Sequence, residues 1–301
     1  MTVPDYGRDV TFGYFLIPNA ADPLLDIARE IEARGLDWIG IQDHPYQRRF
    51  VDTWTLLGAV AAVTTRVGFF PDVANLPLRP PAMMAKAAAS LDVLSGGRFE
   101  LGLGAGNFWD AIEAYGGPRR TPRDSLAALE EAIKVIRLIW SGERGVRFEG
   151  RHYRLAGVHT GPKPAHDIGI WVGAGGRRML DLIGRKADGW VPSAGWAPPE
   201  ALPPYLARIE EAASAAGRDP RSIRRVYNLM GSIGPETGER LVGPVSMWVE
   251  ELARLVEVGM DGFIFWPSGE DLARQVEAFA GEVIPEVRAA LGPPGGAPPG
   301  A

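Results

Sequence analysis

The chain has no cysteine. Disulfides, thiolate nucleophiles, zinc fingers and cysteine-ligated iron–sulfur clusters are therefore excluded together. Basic charge is sparse and scattered: 32 Lys and Arg stand against 37 Asp and Glu, a net charge of −5, and nothing marks a nucleic-acid footprint. No apolar run approaches a membrane span, and the opening MTVPDYGRDVTF lacks the apolar centre of a signal peptide. A cytoplasmic protein with no membrane partner is expected. Histidine is also scarce. Three of the four, His152, His159 and His166, recur every seven residues, which invites a metal reading. That spacing shares one face only on an unbroken helix, and Gly157, Gly161, Pro162 and Pro164 forbid such a helix, so no metal site is expected.

Apolar residues are plentiful, 46% of 301, enough for one large core and a size typical of single-domain α/β barrels. Residues 1–291 are read as one such domain. The closing GPPGGAPPGA, residues 292–301, has nothing to pack and is read as a disordered tail.

The stretch from Arg66 to Asn107 organises the rest. It runs strand, loop, helix, strand: Val67–Phe70 is apolar, Pro80 and Pro81 open a helix of good helix formers, and Ser95-Gly96-Gly97 ends it. Phe99, Leu101 and Leu103 then alternate with Glu100, Gly102 and Gly104, the period of a strand. Gly102, Gly104 and Gly106 strip side chains from its C-terminal end, so a flat ligand can lie against the backbone.

The same rhythm recurs along the chain. Further strands are expected at Thr11–Ile17, Trp38–Ile41, Ile168–Val172, Gly189–Val191, Ile223–Leu229 and Gly262–Trp266, each followed by a helical pattern, the last over Leu272–Leu291. Residues 141–163, with VRFEGRHYRL, break the rhythm after the long fourth helix and read as a hairpin insertion. Eight strand–helix pairs predict a (β/α)8 barrel, whose site lies at the C-terminal ends of the strands.

Three such ends carry candidate residues. After the second strand come Asp43, His44 and Tyr46; the plain alternative for Asp43-His44 is a loop pair that caps a helix or binds backbone. After the fourth come Gly104, Ala105, Gly106 and Asn107. After the fifth, Gly173-Ala174-Gly175-Gly176-Arg177-Arg178 runs directly into a helix, and a glycine turn there points free N–H groups and the positive dipole end at an anion such as phosphate. Arg177 or Arg178 can add charge and Ser193 a hydroxyl. A tight turn with no ligand is the alternative, and the G-x-G-x-x-G spacing of a dinucleotide fold is absent. Trp109, Trp171, Trp190, Trp196 and Trp266 stand at strand ends, either walling a pocket or packing the rim.

Taken together, LPLRPPAMMAKAAASLDVLSGGRFELGLGAGN, QDHPY and GAGGRRMLDLIGRKADGW resemble the bacterial luciferase-like superfamily of flavin and deazaflavin oxidoreductases over nearly the whole chain, about Thr11 to Ala290. The Asp43-His44 pair is similar to the coenzyme F420-dependent branch related to methylenetetrahydromethanopterin reductase. The resemblance implies hydride transfer between F420 and a small organic substrate, with His44 facing the reacting face of the ring. It also implies a non-proline cis peptide between Asp72 and Val73, in a bulge with Asn75 that props the ring, the competing account being an unusual bond at Phe70-Pro71. Several deazaflavin-dependent relatives carry a glutamate where this chain has Asn107; asparagine donates a hydrogen bond but no proton, leaving His44, Tyr46 or water. An FMN-dependent monooxygenase and a non-catalytic flavin-binding protein are the alternatives, and a homodimer is compatible with the family.

Overall fold

The computed structural model describes residues 6–238, 241–269 and 271–292. The tail expected over 292–301 lies outside them apart from Gly292. Strands β1 (Thr11–Leu16), β2 (Trp38–Ile41), β3 (Gly68–Pro71), β4 (Ala74–Asn75), β5 (Leu101–Gly104), β6 (Val146–Glu149), β7 (Arg154–Val158), β8 (Ile170–Val172), β9 (Gly189–Trp190), β10 (Arg224–Ile233), β11 (Val242–Gly243) and β12 (Gly262–Pro267) alternate with helices. The helices are α1 (Leu24–Ala33), α2 (Thr53–Val63), α3 (Pro81–Ser95), α4 (Trp109–Ala114), α5 (Pro122–Trp140), α6 (Arg177–Lys186), α7 (Leu202–Ala215), α8 (Val245–Val258), α9 (Leu272–Ala278) and α10 (Ile284–Leu291).

The parallel ladder runs β3-β2-β1-β12-β10-β9-β8-β5-β4. Its two ends are consecutive pieces of one stave, and Phe69 bridges Phe99 in parallel, with Phe69 N donating to Arg98 O at 3.0 Å and Glu100 N to Phe69 O at 3.2 Å. The ring therefore closes as the expected eight staves, the third split in two. The split follows the backbone: the Asp72–Val73 peptide is cis, β3 pairs with β2, and β4 beyond it pairs with β5. The hairpin β6–β7 after α5 is the expected insertion.

Two apolar clusters fill the protein. One lies between barrel and helices; the other is the barrel interior, made of Phe15, Phe70, Trp171, Val191, Val226 and Ile264 with Trp38, Val73 and Trp266 against it. Trp171 meets both Trp38 and Phe70 edge-on at 5.1 Å, plugging the interior with aromatic rings. Such filling demands bare backbone opposite: a Cβ on Gly102 would fall 2.0 Å from the Pro71 carbonyl oxygen.

Several elements differ from expectation, among them the short strand β11 and the extension of β10 to Ile233. The last helix is not uniform, because a π turn at Phe279–Val283 joins α9 to α10. Pro285, at the start of α10, has no N–H to continue the α ladder, and widening the preceding turn accommodates it. The six-residue α4 falls in the loop after β5, where a segment that short shows too little periodicity to be read.

His166 lies before β8 and holds two acidic side chains, with Nδ1 2.8 Å from Asp92 Oδ1 and Nε2 3.5 Å from Glu100 Oε1. Among the described residues no group of three or more His, Asp or Glu is placed to hold a metal. The hydrogen bond to Glu100, with the charges of Glu100 and Asp92, lifts His166 to about 9 against the opposing effect of its partial burial. A raised histidine contributes stability that is full below its unfolded value of about 6.5 and is lost as pH rises through its folded value. His166→Gln is therefore expected to flatten the pH dependence of unfolding free energy between pH 7 and about 9. Denaturant titrations across that range check it, and an undiminished slope in the variant would contradict the assignment.

Candidate active site

The C-terminal ends of the staves surround a cavity of about 650 Å³. Asp43, His44 and Tyr46 reach it from the loop after β2, Val73 to Asn75 from the split stave, and Gly104 to Trp109 from the loop after β5. Pro122, Arg123 and Ser125 come from the start of α5, Gly173 to Met179 from the turn after β8 and the start of α6, and Trp196 closes one side. The sequence candidates thus converge, apart from Asp72 and Ser193.

Asp43 is the most buried polar group here, its side chain wholly shielded from solvent. Its Oδ2 accepts from Asn75 N at 2.9 Å and from Arg79 Nε at 3.4 Å. Arg79 in turn donates to Asp52, which caps α2 by accepting from Thr55 N at 2.9 Å. One carboxylate thereby ties the loop after β2 to the bulge and, through Arg79, to the next helix. It is a latch on the site's backbone as well as part of its wall.

His44 stacks on Tyr46, ring centroids 5.3 Å apart at 22°, and meets Phe108 edge-on at 5.2 Å. Burial holds His44 below the ordinary imidazole range; the charge of Asp43 acts in the opposite sense and is the smaller effect. The ring is therefore neutral at neutral pH. Burial, aided by Asp43, pushes Tyr46 up to about 12, so its hydroxyl stays protonated and donates hydrogen bonds.

Val73, just after the cis bond, fills the space between β5 and β8. A Cβ on Gly104 would sit 2.8 Å from Val73 Cγ2, and one on Gly173 2.9 Å from both Val73 methyls. The glycines expected to bare the backbone for a ligand thus also make room for this side chain. Asp72 points the other way, toward Gly40 of β2, and its Oδ1 accepts from Asn228 Nδ2 at 3.1 Å, which also donates to Ser193 Oγ at 3.1 Å. Asp72 is thus buried and linked through Asn228 to the half-buried Ser193, both outside the cavity wall. Burial raises the Asp72 carboxyl to about 7 against the opposing hydrogen bond from Asn228.

The turn after β8 ends at Gly176, whose φ is +84°, and no side chain caps α6. The first N–H groups of that helix are left to an anion, with Arg177 and Arg178 beside them. Two acceptors in the cavity wall, Asp43 Oδ1 and Asn75 Oδ1, are buried with no hydrogen-bond partner. Unmet acceptors of this kind are open to a donor from water or from a bound group. A planar heterocycle with N–H groups and a phosphate-bearing chain fits that set.

The tryptophans divide. Trp109 and Trp196 line the cavity, Trp171 is buried in the barrel interior, Trp266 stacks on Phe15 at 4.4 Å, and Trp190 donates to Ala174 O at 3.0 Å while packing edge-on against Tyr205 of α7. Arg79, Phe108 and Asn228 were not foreseen. Arg79 lies within a recognised motif and Phe108 directly follows it, whereas Asn228 is a polar residue inside a strand, with no motif to mark it.

A closed parallel barrel with an uncapped helix start and a histidine among the C-terminal strand ends has the architecture of a barrel enzyme. The chain belongs to the luciferase-like monooxygenase family, whose profile matches residues 8–278. It is 29% identical to the F420-dependent glucose-6-phosphate dehydrogenase of Kineococcus radiotolerans, across 95% of this chain and 99% of that one. An F420-dependent secondary alcohol dehydrogenase, solved with an F420–acetone adduct, superimposes with a TM-score of 0.84 at 22% identity, over 93% of this chain and 100% of that one. The coenzyme F420-dependent tetrahydromethanopterin reductase of Methanopyrus kandleri gives 0.81 at 22% identity, with coverage of 93% and 100%. Both share the fold.

Replacing Asp43 by Ala strands the Asn75 N–H and removes one partner of Arg79, and is expected to cost about 2–3 kcal/mol. Asp43→Asn, which keeps an acceptor for the Asn75 N–H, should lose less. Chemical denaturation measures both, and an Asp43→Ala protein as stable as the parent would contradict the latch.

Proposed function

We propose that the protein is an oxidoreductase that transfers a hydride between coenzyme F420 and a small organic substrate. The observation that carries this reading is the convergence, in one cavity, of a neutral His44, a bare glycine backbone and an uncapped helix start. Similarity to F420-dependent dehydrogenases across nearly the full length of both chains supports the choice of cofactor.

The residues divide the work. Val73 would back the ring, Gly104 to Asn107 would lie along its edge, and Asn75 and Asp43 would accept from its N–H groups. Gly175, Gly176 and Arg177 would hold the phosphate. When bound, the deazaflavin supplies a ring carbon that accepts or returns hydride and does not readily activate oxygen. The protein's task is then orientation and proton management. Neutral His44 takes the proton of a substrate hydroxyl as hydride departs, or returns it in the reverse direction. Asn107 and Tyr46 donate hydrogen bonds to the substrate oxygen, and neither transfers a proton at neutral pH.

An FMN-dependent monooxygenase would use the same phosphate cradle and would consume oxygen. In the F420 reading, substrate oxidation shows no oxygen uptake, and kcat/KM falls on acidification, at a pH below the ordinary imidazole range because burial disfavours protonated His44. His44→Ala should lower kcat roughly 100-fold while F420 affinity is retained. An unchanged kcat in that variant would overturn the role of His44, and stoichiometric oxygen uptake would overturn the cofactor.

A further inference from the structure

We propose that the substrate of this site carries an aromatic or similarly flat apolar group beside its reacting alcohol or carbonyl, and no phosphate. The inference deepens the F420 reading and rests on it for the reaction, though not for binding. Around His44 the wall is a set of rings: Tyr46 is 6.0 Å from Phe108 and 6.5 Å from Tyr115. These rings are not packed away. Phe108 is 52% and Tyr115 57% exposed, on the loop and helix that follow β5. A cluster of exposed rings at the mouth of an open cavity is a surface that a ligand can cover.

Charge points the same way. A second hollow of about 400 Å³ shares Asn107, Phe108 and Trp109 with the main cavity and extends the ring-lined lip outward. Arg119, the cation in its wall, is already held by Glu113 at 2.6 Å and by Asp110. Two carboxylates beside one guanidinium offset the positive charge that this side offers a phosphate. The other cations of the cavity, Arg123, Arg177 and Arg178, sit at the starts of α5 and α6, and neither helix contributes to the lip. An organic phosphate at this lip would meet rings and one guanidinium shared by two carboxylates, whereas an aryl group would stack there at little desolvation cost.

With a secondary alcohol as substrate the step balances. The hydroxyl O–H breaks and its proton goes to His44; the carbinol C–H breaks and its hydrogen leaves with both electrons to the oxidised deazaflavin; the C–O bond becomes the carbonyl of a ketone. The alcohol is oxidised by two electrons and the cofactor reduced by two.

The test uses benzylacetone, its alcohol and glucose 6-phosphate. Binding of benzylacetone to the protein, with and without F420, is followed by quenching of intrinsic fluorescence, and F420 reduction by each alcohol is followed by absorbance. Saturable benzylacetone binding is expected, weakened about tenfold by Phe108→Ala and preserved in Phe108→Tyr, with F420 affinity unchanged in both. The alcohol of benzylacetone should reduce F420 with a kcat/KM at least about tenfold above that for glucose 6-phosphate. Benzylacetone binding without F420 binding would uphold the lip and remove the F420 reading. F420 binding without benzylacetone saturation, equal binding by Phe108→Ala, or preference for glucose 6-phosphate would overturn the inference.

Discussion

The site depends on one buried carboxylate. Asp43 leaves β2 fully shielded from solvent and binds the backbone N–H of Asn75 and the guanidinium of Arg79. A charge in that position is tolerable because it is matched by a cation and a backbone donor. What it fixes is the path of the chain just past the cis Asp72–Val73 bond, and hence the placing of Val73 against β5 and β8. The neighbouring residue, His44, is brought to the cavity by the same turn. Backbone geometry and the position of His44 are thereby set together.

The two sides of the mouth have different characters. Toward β8 and α6 the wall is nearly all main chain, with a helix dipole and two arginines, a surface suited to phosphate and to a flat ring. Toward β2 and α4 it is ring upon ring, with its arginine already committed. The first side stands over a barrel interior filled with Trp38, Phe70 and Trp171. The second is carried by a loop and a short helix, the kind of element on which specificity changes without disturbing a core.

Much of this was legible in the chain itself. Strict alternation at Phe99–Gly104, proline-opened and glycine-closed helices, and a glycine turn running into α6 each have a local physical cause, so staves and helices could be placed before any contact was known. The roles of side chains at the bulge were harder to read. Whether Asp72 faces the ligand or the barrel interior depends on the cis bond and on Asn228, a partner 156 residues away. Trp171 and Trp109 both stand at strand ends, yet one is buried in the barrel and the other walls the cavity, because strand direction and closure decide which ring meets solvent. The widened turn before Pro285 likewise reflects a backbone conflict that periodicity does not register.

The central claim is that this mouth is built for a deazaflavin. A fluorescence titration of the protein with F420, run beside one with FMN, tests it most directly. The account predicts saturable F420 binding with FMN at least about tenfold weaker. Preferential binding of FMN, or binding of neither, would contradict it.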